Sequence, residues 1–153
     1  MSIEERLHQM GLELPEPPKP VASYVPCVRA GNLLFVSGQV PREKGVLRFS
    51  GHLGGNLNLD EGRQAARLCA LNALSAVKQE LGNLDRVRRI VKLTGFVASA
   101  AGFQDQPKVV DGASVFLVEL FGEKGQHARA AVGVNELPLG SAVELEMIVE
   151  VEP

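Results

Sequence analysis

Two segments of the chain repeat their apolar positions at helical spacing. Residues 60–81, DEGRQAARLCALNALSAVKQEL, begin with acids, contain strong helix formers and are followed by Gly82. In residues 106–121, apolar side chains recur every three or four positions, and Gly122 follows them. The pattern predicts two long helices. Because small and apolar residues cover much of the first helix, we expect it to pack deeply on a sheet.

Alternating apolar and polar residues predict an early β-hairpin. Its strands run from Tyr24 to Arg29 and from Leu33 to Ser37, and the residues between them, Gly31-Asn32, suit a tight turn. Residues 45–51, GVLRFSG, are compatible with a third strand. The GHLGGN segment that overlaps their end lacks the lysine and the strand and helix context of a phosphate-binding loop, so we interpret it as a plain loop.

Three further strands are predicted towards the end of the chain. In RRIVKLTGFVA, one side of the strand would carry Arg89, Val91, Leu93, Gly95 and Val97. The segment HARAAVGV places Arg129, Ala131 and Gly133 on one side. The last strand, AVELEMIVEV, has a buried face made of Val143, Leu145, Met147, Val149 and Val151, and it carries acids on the other face.

The N-terminal residues 1–21 predict a short helix followed by an extended arm. Ser2 and Glu5 form a capping-box pattern, and Gly11 suits the helix end. Four prolines in residues 12–23, LELPEPPKPVAS, exclude a helix there. We expect this arm to lie over the surface of a single domain that comprises residues 1–153.

The order of these elements predicts an α+β fold with two helices on one face of a mixed sheet. The other face of the sheet would be uncovered within one chain. Subunits can supply the missing layer, and most homo-oligomers have closed cyclic symmetry. We therefore expect an oligomer whose subunits meet face to face.

Composition makes some classes of function less favoured and indicates a cell compartment. With a formal net charge of −2 and a pI near 5.9, the chain lacks the net positive charge that favours binding to nucleic acid or an anionic membrane. The basic run DRVRRIVK is interpreted as a solvated strand edge, because the chain has one tyrosine and no tryptophan for base stacking. Two cysteines, Cys27 and Cys69, make no disulfide framework, and the N-terminus lacks a signal-peptide pattern. These features predict a cytoplasmic protein with reduced thiols and no membrane span.

Arg129 and Glu144 are the strongest candidates for a role in binding or catalysis. Small neighbours on the strand face of Arg129 would leave a hollow in which its guanidinium could hold a carboxylate through two parallel hydrogen bonds. Alternatively, Arg129 pairs across strands with Glu144 or Glu146. Glu144 could orient or deprotonate a water molecule, or it could be one of several solvated acids on its face.

No metal centre or cofactor site is predicted. The three histidines, His8, His52 and His127, do not have metal-ligand spacing, and the two cysteines are scattered. Any reaction at Arg129 and Glu144 is therefore expected to proceed without a metal ion.

Two stretches, LLFVSGQVP at 33–41 and HARAAVGVNELPLGSAVELEMIVEV at 127–151, resemble the YjgF/YER057c/UK114 family, also called the Rid (reactive intermediate deaminase) family. The resemblance runs from about Tyr24 to Val151. It implies a fold similar to chorismate mutase of the Bacillus type and a homotrimer with three sites in the clefts between subunits. It also implies hydrolysis of enamines and imines, such as 2-aminoacrylate, to a 2-keto acid and ammonia without a cofactor.

The resemblance also assigns roles to individual residues. It implies that Arg129 grips the substrate carboxylate, that Glu144 serves the attacking water, and that Ser37 and Tyr24 contact the substrate. Ala131 stands where cysteine is frequent in the deaminase branch, and FVASAAGFQDQPK differs from the corresponding turn of that branch. Together with the N-terminal extension and the long GHLGGNLNLDEG loop, these differences indicate a separate subgroup.

Two other classes of function remain open at this point. One is a non-catalytic trimer that binds small carboxylate metabolites. The other is an endoribonuclease, a label sometimes attached to the family, against which the acidic composition speaks.

Overall fold

The computed structural model describes residues 1–19 and 23–153, and within these it contains three α-helices and seven strands. The helices are α1 (Ile3–Gln9), α2 (Leu59–Leu81) and α3 (Gln106–Phe121). The strands are β1 (Cys27–Ala30), β2 (Leu33–Gln39), β3 (Arg42–Glu43), β4 (Val46–Leu47), β5 (Val87–Ala98), β6 (Ala128–Val134) and β7 (Val143–Val151).

The predicted helices are confirmed, and their ends follow the expected capping chemistry. Ser2 and Glu5 form the capping box of α1. A second capping box, formed by Asn58 and Glu61, begins α2, and Gly82 with a φ of 90° ends it. No helix among the described residues is long and apolar enough to cross a membrane.

The main sheet has the strand order β1-β2-β7-β5-β6 and is mixed, as predicted. β5 and β6 run parallel, whereas the other neighbours are antiparallel. The predicted hairpin forms around Gly31-Asn32, but β1 begins at Cys27 because Pro26, which has no amide hydrogen, precedes it. The segment GVLRFSG does not join this sheet, and part of it pairs as β4 with β3 in a separate ribbon.

The helices α2 and α3 cover one face of the sheet, and this layer holds the core. The face predicted for β7 is buried throughout. On the opposite face, apolar side chains are exposed, including Val28 (55%), Phe35 (43%) and Val132 (43%). The expected uncovered face is therefore present in the chain.

Two expectations for β5 need correction. Register shifts break its alternation, so Ile90 is buried and Arg89 does not share the face of Leu93. The sequence predicts a sheet edge for the basic run at its start, yet β5 lies between β7 and β6. Arg88, Arg89 and Lys92 are nevertheless exposed, and Arg89 and Lys92 pair with Glu150 and Ile148 on the open face of the sheet.

The proline arm lies against α2 where the structure describes it. The hydroxyl of Ser75 donates a 2.6 Å hydrogen bond to the carbonyl oxygen of Pro15. Residues 13–19 form no helix, as expected. The part of the predicted arm at residues 20–22 lies outside the described residues.

Candidate functional site

Arg129 lies on β6 and faces the helices. It is paired in register with Leu93, which is fully buried beneath them. Its Nη1 atom donates to the Oδ1 atom of Asp111 at 2.7 Å and to the hydroxyl oxygen of Ser114 at 3.2 Å, both on α3. The alternative pairing with Glu144 or Glu146 is wrong, because the acidic partner comes from the helix above and not from a strand.

The small residues beside Arg129 have a packing role that the sequence interpretation did not foresee. Ala131 packs against the core, and a Cβ atom on Gly133 would lie 2.7 Å from the Nε2 atom of Gln106 on α3. A larger side chain at position 133 would have to displace the end of the Gln106 side chain, so part of the space beside Arg129 is occupied from α3. The expected hollow is a close approach of helix to strand, so it is not evidence for a substrate cavity at this point.

His127 extends the hydrogen bonds around Arg129. Its Nε2 atom lies 2.9 Å from the hydroxyl oxygen of Ser114, and its Nδ1 atom contacts the carbonyl oxygen of Gly125. Burial lowers the pKa of His127, the nearby charge of Arg129 lowers it further, and the bond to Gly125 acts in the opposite direction. The neutral imidazole is therefore favoured at this position.

Glu144 lies on the other face of the sheet. It pairs with Phe96 of β5 on the open side, and β5 separates β7 from the strand of Arg129. Among the described residues it has no ion-pair partner. Burial, and to a smaller extent the charge of Glu146, raises the pKa of Glu144 above its usual value of 4.5. A carboxylate with a raised pKa can exchange a proton closer to neutral pH than an ordinary glutamate.

Gly38 makes room for this carboxylate. A Cβ atom at this position would overlap the Oε2 atom of Glu144. Gly38 is the glycine of the SGQ sequence at 37–39, and a larger residue there would collide with the Glu144 carboxylate.

A cavity of about 510 Å³ opens beside Glu144 and Gly38. Tyr24 lines the same cavity, as do residues 15–19 of the proline arm. Ser37 lines a neighbouring cavity of about 440 Å³ on the open face, and its hydroxyl donates to the carbonyl oxygen of Val25 at 2.7 Å. The structure thus brings Tyr24 and Glu144 together, places Ser37 on the adjoining surface, and leaves Arg129 on the opposite face.

The other reactive groups that the structure describes do not form a second site. Burial, with a smaller contribution from Glu80, raises the pKa of Cys27 to about 12, and burial also raises that of Cys69. Both thiols therefore stay protonated at neutral pH and are poor nucleophiles. Among residues 1–19 and 23–153, no group of three histidine, cysteine or acidic side chains is close enough to hold a metal ion.

Comparison with known families identifies the family to which this chain belongs. The family described as "YjgF/chorismate mutase-like, putative endoribonuclease" matches residues 4–151. The chain belongs to the YjgF family. Its fold is accordingly the chorismate-mutase-like α+β fold of that family.

Some of the relatives in the YjgF family have a named activity and others do not. Protein TCP17 of Trypanosoma cruzi is 44% identical over 97% of this chain and 93% of its own length. A 2-iminobutanoate/2-iminopropanoate deaminase of Dermatophagoides farinae is 30% identical, over 92% of this chain and 95% of its own. The crystal structure of protein Atu1372 from Agrobacterium tumefaciens, of unknown function, has a TM-score of 0.93 at 44% identity and covers 99% of this chain and 94% of its own.

Proposed function

We propose that this protein hydrolyses 2-imino acids and their enamine forms to 2-keto acids and ammonia, without a cofactor. The observation that carries the proposal is the partly buried Glu144, which has a raised pKa and lies beside a cavity shared with Tyr24. The relationship to a named 2-iminobutanoate/2-iminopropanoate deaminase supports the choice of reaction. The raised pKa alone would suit many reactions, so the two observations are needed together.

The proposed chemistry requires one group that moves protons. An enamine first tautomerises to the imine, as its nitrogen loses a proton and its β-carbon gains one. Water then adds through its oxygen to the C=N carbon, while Glu144 carries a proton from that water to the imine nitrogen, which produces a carbinolamine. Glu144 then carries the hydroxyl proton to the amine. The C–N bond breaks, ammonia and the 2-keto acid leave, and the carboxylate is restored.

Arg129 is proposed to hold the substrate carboxylate. Both of its hydrogen bonds are made by Nη1, so the Nε and Nη2 hydrogens have no partner among the described residues. These two N–H groups form one of the parallel pairs with which arginine binds a carboxylate. Ser37 and Tyr24 are proposed to contact the rest of the substrate.

A site that contains both Arg129 and Glu144 requires two chains. Within one chain the two side chains lie on opposite faces of the sheet, with β5 between their strands. We propose a homotrimer whose open sheet faces pack together. The edge strand β6, which carries Arg129, would then lie at the subunit boundary, where Arg129 of one subunit meets the cavity beside Glu144 of the next. Light scattering should then give three times 16.4 kDa, and a stable monomer would contradict the shared site.

The decisive experiment measures ammonia release from enzymatically generated 2-iminobutanoate above the spontaneous rate. Wild-type protein should accelerate release, and Arg129→Ala should lower kcat/KM by about 10²-fold, since misplacing a substrate costs that much. Arg129→Lys should restore little, because an ammonium group lacks the two-pronged geometry. Arg67→Ala, an exposed arginine on α2, is the matched control and should behave like wild type.

Two results would replace this proposal with another function. A trimer that binds 2-oxobutanoate but leaves imine hydrolysis unchanged would be a carboxylate-binding module. Cleavage of RNA, with binding that weakens steeply as salt rises, would indicate an endoribonuclease.

A further inference from the structure

The hydrogen bonds that lead to Arg129 have a fixed direction. The carbonyl oxygen of Gly125 can only accept, so the Nδ1 atom of His127 carries the proton and its Nε2 atom accepts. The hydroxyl of Ser114 therefore donates to Nε2 of His127, and its oxygen accepts from Nη1 of Arg129. For the neutral imidazole, which burial favours, a single proton arrangement satisfies all three contacts.

This arrangement uses both hydrogens of one guanidinium nitrogen. Asp111 takes one Nη1 hydrogen at 2.7 Å, and Ser114 takes the other at 3.2 Å. The guanidinium is planar, so fixing Nη1 from two directions also fixes the orientation of the Nε and Nη2 hydrogens. The side chain of Arg129 is only 25% exposed, which further limits its movement.

The groups around Arg129 come from α3 and from the chain that enters β6. Asp111 and Ser114 are three residues apart and share one face of α3, and His127 and Arg129 are two residues apart on one side of the chain entering β6. A helix and a strand therefore meet through a polar cluster at the edge of an otherwise apolar layer. A purely structural ion pair needs only Asp111, so the relay through Ser114 to His127 requires a separate explanation.

We propose that Ser114 and His127 are positioning residues that act through Arg129 and set its affinity for the substrate carboxylate. This inference rests on the proposed function. Without the acceptor on His127, the Ser114 hydroxyl can turn its proton towards other groups. Without the Ser114 oxygen, the guanidinium can rotate about its bond to Asp111, and the edge offered to a carboxylate loses its fixed direction.

The test separates binding from chemistry. Ser114→Ala should raise the KM for 2-iminobutanoate about tenfold, the usual size for losing a hydrogen bond to a charged group. The value of kcat should change little, because Glu144 is untouched. Ser114→Thr keeps the hydroxyl and should restore most of the wild-type KM, and His127→Leu should raise KM by a smaller factor than Ser114→Ala. Ser2→Ala, which removes the serine that caps α1, is the control.

A second readout does not depend on turnover. Calorimetry with 2-oxobutanoate, the 2-keto acid product, should show weaker binding to Ser114→Ala by a similar factor. If wild type binds 2-oxobutanoate but does not hydrolyse the imine, the proposed reaction fails, and the binding comparison still tests Ser114. In an Arg129→Ala background, Ser114→Ala should have no further effect on binding.

Three outcomes would overturn the inference. The first is unchanged affinity for 2-oxobutanoate in a well-folded Ser114→Ala protein. The second is equal weakening by Ser114→Ala with and without Arg129. The third is a wild-type protein that does not bind 2-oxobutanoate. If Ser114→Ala fails to fold, unchanged affinity in a folded His127→Leu protein would overturn the inference in its place.

Discussion

The surroundings of Arg129 and Glu144 differ in almost every physical respect. Arg129 lies under α3 and has two polar partners, Asp111 and Ser114. Glu144 lies on the uncovered face, has no ion-pair partner among the described residues, and borders a cavity. One group has its charge and orientation fixed by the fold, whereas the other is left partly desolvated and free to change its charge.

This difference matches the demands of the two proposed roles. A group that holds a substrate carboxylate must keep its charge and geometry, and several hydrogen bonds achieve this at little cost. A group that moves protons needs a pKa that its surroundings do not hold far from the working pH, and within its own chain Glu144 has no cationic partner among the described residues.

Replacing Glu144 with glutamine should abolish most of the catalysis while leaving the fold intact. We expect kcat to fall by about 10²- to 10⁴-fold, the usual contribution of general acid–base catalysis. Since folding raises the pKa of Glu144, its stabilising contribution is present below pH 4.5 and is lost as pH rises through the folded pKa. The melting temperature of Glu144→Gln at pH 7 should therefore be equal to or higher than that of wild type.

The matched control is Glu150→Gln, which removes an acid from the same face of the same strand. It should retain full activity. Equal losses in the two variants, or a lower melting temperature for Glu144→Gln, would mean that Glu144 serves the structure and not the reaction.

Mixing two inactive variants should restore activity if the site is shared. When Arg129→Ala and Glu144→Gln chains are unfolded together at equal amounts and refolded, random assembly gives intact sites at about one quarter of the interfaces. We expect ammonia release to recover towards that fraction of the wild-type rate. Each variant refolded alone is the control and should stay inactive.

The mixing experiment distinguishes a site built within one chain from a site shared between two chains. A site built within one chain would gain nothing, because each chain would still lack one of the two residues. Recovery would demonstrate that Arg129 and Glu144 act across a subunit boundary.

Gly38→Ala should reduce activity by about tenfold or more while changing stability little. The added methyl group would overlap the Glu144 carboxylate, and the flexible end of that side chain can move aside without disturbing the strand. Gly38 has no positive φ, so alanine fits its backbone. Activity assays and thermal melts of the same samples give the two quantities.

A double variant provides the control for this prediction. In the Glu144→Gln background, Gly38→Ala should have little further effect on kcat, because the displaced group is already inactive. Full additivity of the two losses would show that Gly38 matters for another reason.

Sequence pattern predicted the fold far better than the site. Helical and alternating periods reflect local geometry, so α2, α3, the hairpin and β7 followed from the sequence. The bulges in β5 and the order of strands depend on pairing across the sheet and leave no local signal. As a result, the sequence did not reveal that β5 separates β6 from β7, and it suggested cross-strand acids as partners for Arg129.

The residues around Arg129 were missed for a related reason. Asp111 and Ser114 lie on α3, so no pattern within the strand β6 indicates that they contact Arg129. Their spacing of three, on a helix that is otherwise apolar on its inner face, was the available signal. Gly38 was recognised as part of a motif, but its steric role required the position of the Glu144 carboxylate.

The smallest predicted effect concerns the pH dependence of the reaction. Glu144 must be ionised to take a proton, so kcat/KM should fall as pH drops through its folded pKa. Because burial and then Glu146 raise that pKa, the midpoint of this fall should lie above pH 4.5. Glu146→Gln removes the smaller cause, so the midpoint should move to lower pH by less than about one unit.

Rates measured from pH 4 to 8, after subtraction of spontaneous imine hydrolysis, test the direction in which the midpoint moves. Glu150→Gln is again the control, since Glu150 is not a cause of the raised pKa of Glu144. A midpoint at or below pH 4.5 would mean that a cation, such as Arg129 of the next subunit, offsets the effect of burial on the pKa of Glu144. A shift to higher pH in Glu146→Gln would mean that another group limits the rate at low pH. A midpoint that falls but stays above 4.5 would show that burial on the open face, more than the neighbouring charge, prepares Glu144 to exchange protons.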